Sequence, residues 1–181
     1  MPDADSAAPA ALASAAASRL CIACGMCCDG TMFHHVRLQP RDSAKALTAL
    51  GLKLKRKRKH DHIIQPCPAY RGSQCSIYLD RPERCRLFEC RQIQRVAAGE
   101  ITEAAAAEKI RDALERSAHI RGLFARLGET NSKGPLTTRY EKIIAEPLDP
   151  LAEADAMVFR AELQRAMEEF EALLESDFRV Q

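Results

Sequence analysis

Apolar residues in the last quarter of the chain recur three and four positions apart, which is the spacing of one face of an α-helix. The spacing predicts a helix after Asp149-Pro150, a pair typical of an N-cap followed by proline at the first helical position. A second long helix is predicted over residues 100–128, where Thr102 can cap the start and Gly128 can end it. A short helix is expected between them, over about 138–145. The stripe of the last helix comprises Phe159, Leu163, Ala166, Met167, Phe170, Leu173 and Leu174.

The pattern before residue 100 is less regular. Residues 40–50 favour a short helix closed by Gly51, and a further helix is expected from Asp80 to Gly99. Two short strands, over 52–55 and 62–65, are expected to flank a basic tip as a hairpin.

Three segments are predicted from these patterns. Residues 1–18 form a disordered Ala-rich tail, residues 19–99 a cysteine-cluster metal-binding domain, and residues 100–181 a helical extension. The predicted fold class is α-rich α+β. It combines a small, irregular, metal-nucleated cysteine-rich domain carrying a short hairpin with a helical C-terminal extension.

Composition narrows the class of protein. The chain has 181 residues, of which 46% are hydrophobic and 29% charged, values typical of a globular domain and not of a disordered or collagen-like chain. No uncharged apolar run approaches the ~18 residues that a membrane span needs. The first residues carry acids where an export signal needs Lys or Arg, so a cytoplasmic protein is expected.

Charge is unevenly distributed along the chain. Residues 37–62 hold nine Lys or Arg against two Asp, whereas residues 141–181 hold eleven Asp or Glu against four Lys or Arg. The acidic last helix could therefore fold back on the basic loop, or each segment could meet a different protein partner. Nucleic acid is not expected as a partner, because Trp is absent and no aromatic residue lies beside the basic run to stack on bases.

Eight cysteines lie between residues 21 and 90, and none lies after residue 90. In a reducing compartment such thiols serve as metal ligands more often than as disulfides, although buried small side chains and a disulfide network are alternatives. The candidate metal ligands are Cys21, Cys24, Cys27, Cys28, Cys67, Cys75, Cys85 and Cys90.

The spacing of the cysteines suggests how they are shared. Three sulfurs at Cys21, Cys24 and Cys27 can meet at one zinc ion or wrap one iron–sulfur cluster, with a fourth ligand from the later cysteines. Cys28 would point away from Cys27 in an extended chain, so one of the two serves a second site or packs. On one regular helix Cys85 and Cys90 would lie about 140° apart. Cys90 is therefore ranked as the weakest candidate ligand.

Two stretches carry a resemblance to a known family: Cys-Ile-Ala-Cys-Gly-Met-Cys-Cys from residue 21, and the stretch from Cys67 to Cys90 that includes Tyr-Leu-Asp-Arg-Pro-Glu-Arg-Cys. Together they resemble the bacterial and archaeal CxxCxxCC cysteine-cluster family, which is described as chelating zinc or iron and is sometimes labelled Fe–S-cluster-containing. The resemblance implies a centre held by some or all of the eight cysteines, with an Fe–S cluster or Zn²⁺ as cofactor. Some relatives with a similar cluster are associated with methylation of flagellin lysines.

Other residues supply fewer candidates. His34, His35, His60 and His62 could each replace a thiolate, although loop histidines are more often solvated. Arg81 and Arg86 could offset thiolate charge. No familiar catalytic motif is present, so no catalytic residue is identified and enzymatic activity is left open. The sequence favours an Fe–S or zinc protein with a redox or sensor role. The alternatives are a zinc-stabilised interaction module that uses the basic loop, and a component of lysine methylation.

Overall fold

The computed structural model describes residues 7–131, 133–148 and 154–180, with side chains from residue 15 onward. Helices account for 54% of the chain, and the two small sheets are antiparallel, so the predicted α-rich α+β class is confirmed. None of the described helices is long and apolar enough to cross a membrane.

Helices and short strands follow one another along the described chain. Their order is α1 (Ala7–Cys24), β1 (His35–Arg37), α2 (Ala44–Ala49), β2 (Leu54–Lys57), β3 (His60–Ile64), β4 (Tyr70–Arg71), β5 (Gln74–Cys75), α3 (Glu83–Leu87), α4 (Arg91–Ala97), α5 (Glu103–Arg126), α6 (Leu136–Ala145) and α7 (Ala154–Asp177).

The long helices α5 and α7 pack against each other. Thr102 caps α5 as predicted, its hydroxyl oxygen accepting a hydrogen bond from the Ala105 amide at 3.1 Å, and Gly128 follows the helix with φ 78°. The short helix α6 begins two residues earlier than expected. The predicted Asp149-Pro150 cap lies outside the described residues. The predicted stripe of α7 faces the core, with Leu163, Met167, Phe170 and Leu174 buried.

The N-terminal segment differs from the predicted disordered tail. Helix α1 begins at Ala7 and continues to Cys24, although residues 1–6 lie outside the described chain. Alanine has the highest helix propensity, and Ala16 and Leu20 are buried against the rest of the protein. The first two cysteines therefore lie on the last turn of a helix, where Cys21 and Cys24 share one face.

The single helix expected from Asp80 to Gly99 is wrong, because the chain breaks between α3 and α4. Phe88 and Cys90 have extended backbones, with ψ 122° and 165°. Cys90 becomes the N-cap residue of α4, and the predicted end of this segment at Gly99 holds, with φ 71°.

The expected hairpin is present, but its strands extend further into the basic run than predicted. Strands β2 and β3 pair from Leu54↔Ile63 to Lys57↔His60, which leaves only Arg58 and Lys59 in the turn. An additional strand, β1, pairs with β3 and gives the sheet order β1-β3-β2.

The core consists of two clusters. The larger joins α1, α4, α5 and α7 around residues such as Met26, Phe124 and Phe178, and the smaller packs the inner face of the sheet around Leu52 and Ile63. The larger cluster takes residues from both sides of the boundary expected between residues 99 and 100. Independent folding of those two segments therefore remains a prediction.

Candidate metal centre

The first four cysteines lie on a tight reversal at the end of α1. The Gly25 amide donates to the Cys21 carbonyl at 3.2 Å, and the Gly25 carbonyl accepts from the amides of Cys28 and Asp29 at 2.8 and 3.0 Å. Gly25 adopts φ +67°, the left-handed conformation that glycine tolerates best. The reversal folds Cys27 and Cys28 back beside the end of the helix.

The later cysteines are brought to this reversal by separate elements. The Cys67 amide donates to the Cys28 carbonyl at 2.8 Å, which fixes the start of the second stretch beside the first. Cys75 lies on β5 opposite Tyr70 of β4, and Cys85 lies on α3. Cys90 approaches from another direction, because α4 packs on α1.

The charges that raise the pKa of each thiol place most of the cysteines in two groups of four, while Cys28 also raises the pKa of Cys27 and Cys21 also raises that of Cys28. Burial raises the pKa of Cys21, and the negative charge of a Cys90 thiolate raises it further. Burial also raises the pKa of Cys24, to about 12, with added contributions from the charges of Cys90 and Cys21. The pKa of Cys27 rises well above its usual range for the same reasons, burial first and then the charges of Cys24 and Cys21. We call these residues the first thiol set: Cys21, Cys24, Cys27 and Cys90.

The remaining four cysteines interact in the same way. Burial raises the pKa of Cys28, followed by the charges of Cys67, Cys85 and Cys75. Burial raises the pKa of Cys85 to about 12, and the charges of Cys67 and Cys75 add to the shift. We call these residues the second thiol set: Cys28, Cys67, Cys75 and Cys85.

Backbone amides oppose the effect of burial on one thiol of each set. Burial raises the pKa of Cys90, and the amides of Ile93 and Gln92 in the first turn of α4 counter that rise, although the Cys90 side chain accepts no capping hydrogen bond. The amides of Ala69 and Tyr70 counter the rise in the pKa of Cys67 in the same way. Such donors stabilise a thiolate over a thiol.

One arginine serves both sets. The charge of Arg81 lowers the pKa of Cys21 in the first set and of Cys85 in the second, opposing in each the larger rise caused by burial. Its guanidinium carbon lies 3.6 Å from the centre of the Tyr78 ring, and its Nε donates to the Tyr78 carbonyl at 2.9 Å. These two contacts hold the cation in place between the two sets.

The two sets differ in the space beside them. A cavity of about 40 Å³ borders the first set and is enclosed mainly by apolar side chains, among them Met26, Met32 and Phe88. A cavity of about 760 Å³ borders all four thiols of the second set and also Cys21 and Cys27 of the first, and exposed Leu87 lines it as well. Cys28 borders both cavities.

The donor chemistry fits a thiophilic metal. Two sets of four thiols match the Cys₄ ligation of structural zinc and of Fe–S clusters. Among the described residues, no group of three or more His, Cys, Asp or Glu side chains is already positioned to hold a metal ion. Binding would therefore require the thiols of each set to lose their protons and turn toward one another.

The histidines interact elsewhere. His34 hydrogen-bonds to the Thr137 hydroxyl, and His62 is buried with its Nδ1 3.1 Å from the His60 carbonyl oxygen. His35 borders the larger cavity and stacks edge-on against His62 at 4.7 Å, and His60 is exposed. Of the four, only His35 lies beside a thiol set.

Two contacts that hold the reversal in place could not be predicted from the sequence. Arg121 of α5 donates to Asp29 and to Thr31 at 2.8 Å each, which ties the helix to the reversal that carries Cys27 and Cys28. Tyr70 lies over Gly25. Arg121 and Asp29 are 92 positions apart, so only the packing of α5 reveals the pair.

Replacing Gly25 by alanine is expected to damage the reversal. A Cβ atom there would lie 1.8 Å from the Tyr70 hydroxyl oxygen, in addition to the strain of a positive φ. Gly51 is the matched control, because it has φ +90° but nothing within 4 Å of an added Cβ. We expect Gly51→Ala to cost about 1 kcal/mol, whereas Gly25→Ala costs several times more and lowers the bound metal. Thermal melting and metal analysis measure both effects, and equal losses in the two variants would contradict the prediction.

Comparison with known proteins identifies the family of the chain. Residues 20–111, about half of the chain, match the CxxCxxCC family, whose description reads "Putative zinc- or iron-chelating domain". No curated protein and no solved structure matches the chain. The matched segment begins just before Cys21 and includes all eight cysteines, the break at Cys90 and the first turns of α5. The chain therefore belongs to the CxxCxxCC family.

Proposed function

We propose that this protein carries two adjacent iron–sulfur centres, one on each thiol set, and acts in electron transfer or redox sensing. The observation that carries the proposal is the division of eight cysteines into two interacting groups of four. Four thiolates are the usual ligation of [2Fe–2S] and [4Fe–4S] clusters. A single zinc site would leave four of these thiols without a role.

The contacts around the sulfurs support this assignment. Backbone amides near Cys90 and Cys67 oppose the rise in the pKa of each thiol, and hydrogen bonds to sulfur are one of the factors that set the reduction potential of such a cluster. Arg81 offsets part of the charge that two four-thiolate centres would place close together. These residues would hold and tune the centres, whereas the electron chemistry would belong to the clusters.

The surroundings suggest different roles for the two centres. Cys24 and Cys90 of the first set lie among apolar side chains beside the cavity of about 40 Å³, and only Cys21 and Cys27 of that set border the larger cavity. All four thiols of the second set border the cavity of about 760 Å³. Access and dielectric both affect redox potential. We assign the exchange of electrons with a partner or small molecule to the second centre.

The proposal is tested by anaerobic purification, an absorption spectrum, and analysis of iron, zinc and acid-labile sulfide. We expect a brown protein with a broad visible band that is bleached by dithionite, and iron and sulfide in similar amounts. A colourless protein that contains zinc and no sulfide would overturn the iron–sulfur assignment.

A zinc-stabilised module is the second candidate, and one observation favours it. The space beside the first set, about 40 Å³, is far smaller than the 760 Å³ of the cavity that borders the second set. A single ion fits there with less movement of the surrounding side chains than a cluster does. If metal analysis finds zinc in the first set and iron in the second, the first centre has a structural role and the iron–sulfur assignment applies only to the second.

A further inference from the structure

The β1-β3-β2 sheet has one apolar and one basic face. Val36, Leu54 and Ile63 pack into the smaller core cluster, which fixes the inner face. Because side chains alternate along a strand, their neighbours point outward. The register places these outward residues in adjacent rows, with Arg37, His62 and Lys55 in one row and His60 and Lys57 in the next. We call the exposed residues of this surface the basic face and define it as Arg37, Lys53, Lys55, Lys57, Arg58 and Lys59 with the histidines His35 and His60. His62 lies between Arg37 and Lys55 but is buried.

No acidic side chain neutralises this surface among the residues that the structure describes. The six Lys and Arg of the basic face are exposed and make no ion pair. Asp61 lies on the opposite side of the sheet, 3.8 Å from Arg56.

The acidic last helix does not cover the basic face either. Its ion pairs run to other elements: Glu169 lies 3.8 Å from Arg116, and Glu171 lies 2.7 Å from Arg179. In the described part of the chain, no ion pair joins α7 to residues 37–62. The charge distribution along the sequence allows the acidic last helix to fold back on the basic loop. The structure does not show that arrangement among the residues that it describes.

The hairpin turn places two further cations at the tip under backbone strain. Arg58 and Lys59 have φ 50° and 69°, and both belong to the left-handed conformation that two-residue turns usually fill with Asn and Gly. A non-glycine residue held in this conformation is strained, and strain of this kind clusters at functional sites. The turn keeps positive charge at a position where uncharged residues would fit with less strain.

The residue types on the basic face indicate which kind of partner it can bind. A stable protein interface needs apolar and aromatic residues at its centre, and the exposed basic face offers only Ile64 beside its cations and histidines. Nucleic acid is different, because neutralising its phosphates releases counterions and supplies the affinity without apolar burial. Lys55 and Lys57 are about 6.8 Å apart along β2 and Lys53 immediately precedes that strand, which suits contacts to successive phosphates. A two-stranded β-ribbon also fits the major groove of a duplex.

We propose that the basic face binds the phosphate backbone of duplex nucleic acid without reading its sequence. The proposal departs from the expectation drawn from the sequence, which counted aromatic residues for base stacking. Backbone binding needs none. It does not depend on which metal the thiol sets hold.

The test measures binding of the metal-loaded full chain to a fluorescent 20-bp DNA duplex as salt is raised from 50 to 200 mM. The test variant replaces Lys55, Lys57, Arg58 and Lys59 by Gln. The matched control removes four exposed cations elsewhere, at Lys45, Arg111, Lys142 and Arg165. Each phosphate contact contributes about −0.9 to the slope of log K against log salt. We expect the test variant to lose at least tenfold in affinity at 50 mM and about three in slope, and the control to change much less.

Three outcomes would overturn the proposal. They are no binding of the unmodified chain to the duplex at 50 mM salt, equal losses in the test and control variants, and tighter binding to polyglutamate or to vesicles rich in phosphatidylserine than to DNA. The first excludes the surface as a nucleic-acid site, the second assigns binding to net charge, and the third assigns it to another polyanion. Unchanged metal content and thermal melting in the test variant confirm that it is folded.

Discussion

Serine in place of Cys90 is expected to remove the metal from one centre while the other stays loaded. Cys90 is 8% exposed, its charge raises the pKa of Cys21, Cys24 and Cys27, and backbone amides of α4 oppose the rise in its own pKa. A serine oxygen binds these metals less well than a thiolate does. We expect metal content to fall by about half, and the same loss for Cys24→Ser.

The second set supplies the complementary measurement. Cys75→Ser should remove the other half of the metal, and Cys24→Ser combined with Cys75→Ser should remove nearly all of it. Spectra of the two single variants would then differ, since each retains a different centre. A Cys90→Ser protein with full metal content would restore the ranking that the spacing alone suggests and would contradict the division into two sets.

Removing the metal is expected to cost much of the stability of the cysteine-containing region. Structural metal can contribute about 10 kcal/mol or more to the folding of a small domain, and few large apolar residues occupy the stretch from Cys67 to Cys90. We expect chelation to lower the melting temperature sharply while α5 and α7 keep most of their helical signal, because those helices also pack on each other. Circular dichroism and calorimetry measure the two effects, and identical melting with and without metal would contradict the prediction.

Alkaline pH is expected to lower the stability of the metal-free protein but not that of the metal-loaded protein. Burial raises the pKa of Cys24 and of Cys85 to about 12, from about 9 for an ordinary thiol. Above pH 9 the unfolded chain loses these protons while the folded chain retains them, so the stability of the metal-free protein should fall between pH 9 and 12. The loaded protein should not show this loss, because its thiolates are already ionised.

The long helices could be predicted because their signals are local. The stripe from Phe159 to Leu174 and the capping residue Thr102 each act within a few positions of the chain, and both are confirmed. The hairpin was found for the same reason. Its strands were placed too far from the turn because lysines are poor strand formers, although on an exposed face they pair without loss of burial.

The break at Cys90 and the division of the thiols could not be predicted in this way. Helix propensity across residues 80–99 favours one continuous helix, and only the packing of α4 on α1 and α5 shows why the chain extends at Phe88. The spacing puts Cys85 and Cys90 about 140° apart on one regular helix, but the break in the chain between them is visible only in the structure. The sequence indicates that Cys27 and Cys28 cannot easily share one ion, and we propose that they belong to different centres.

The adjacency of Cys27 and Cys28 makes the two centres mechanically dependent. One peptide bond joins a ligand of the first set to a ligand of the second, so ordering either sulfur restricts the backbone torsions of the other. Once one centre is filled, part of the backbone at the other is already ordered. The second binding step then loses less conformational entropy than the first. Stepwise reconstitution should accordingly yield mostly empty and doubly filled molecules, with the half-filled form scarce. Inserting one glycine between the two residues would remove that dependence and let half-filled chains accumulate, which native mass spectrometry can count.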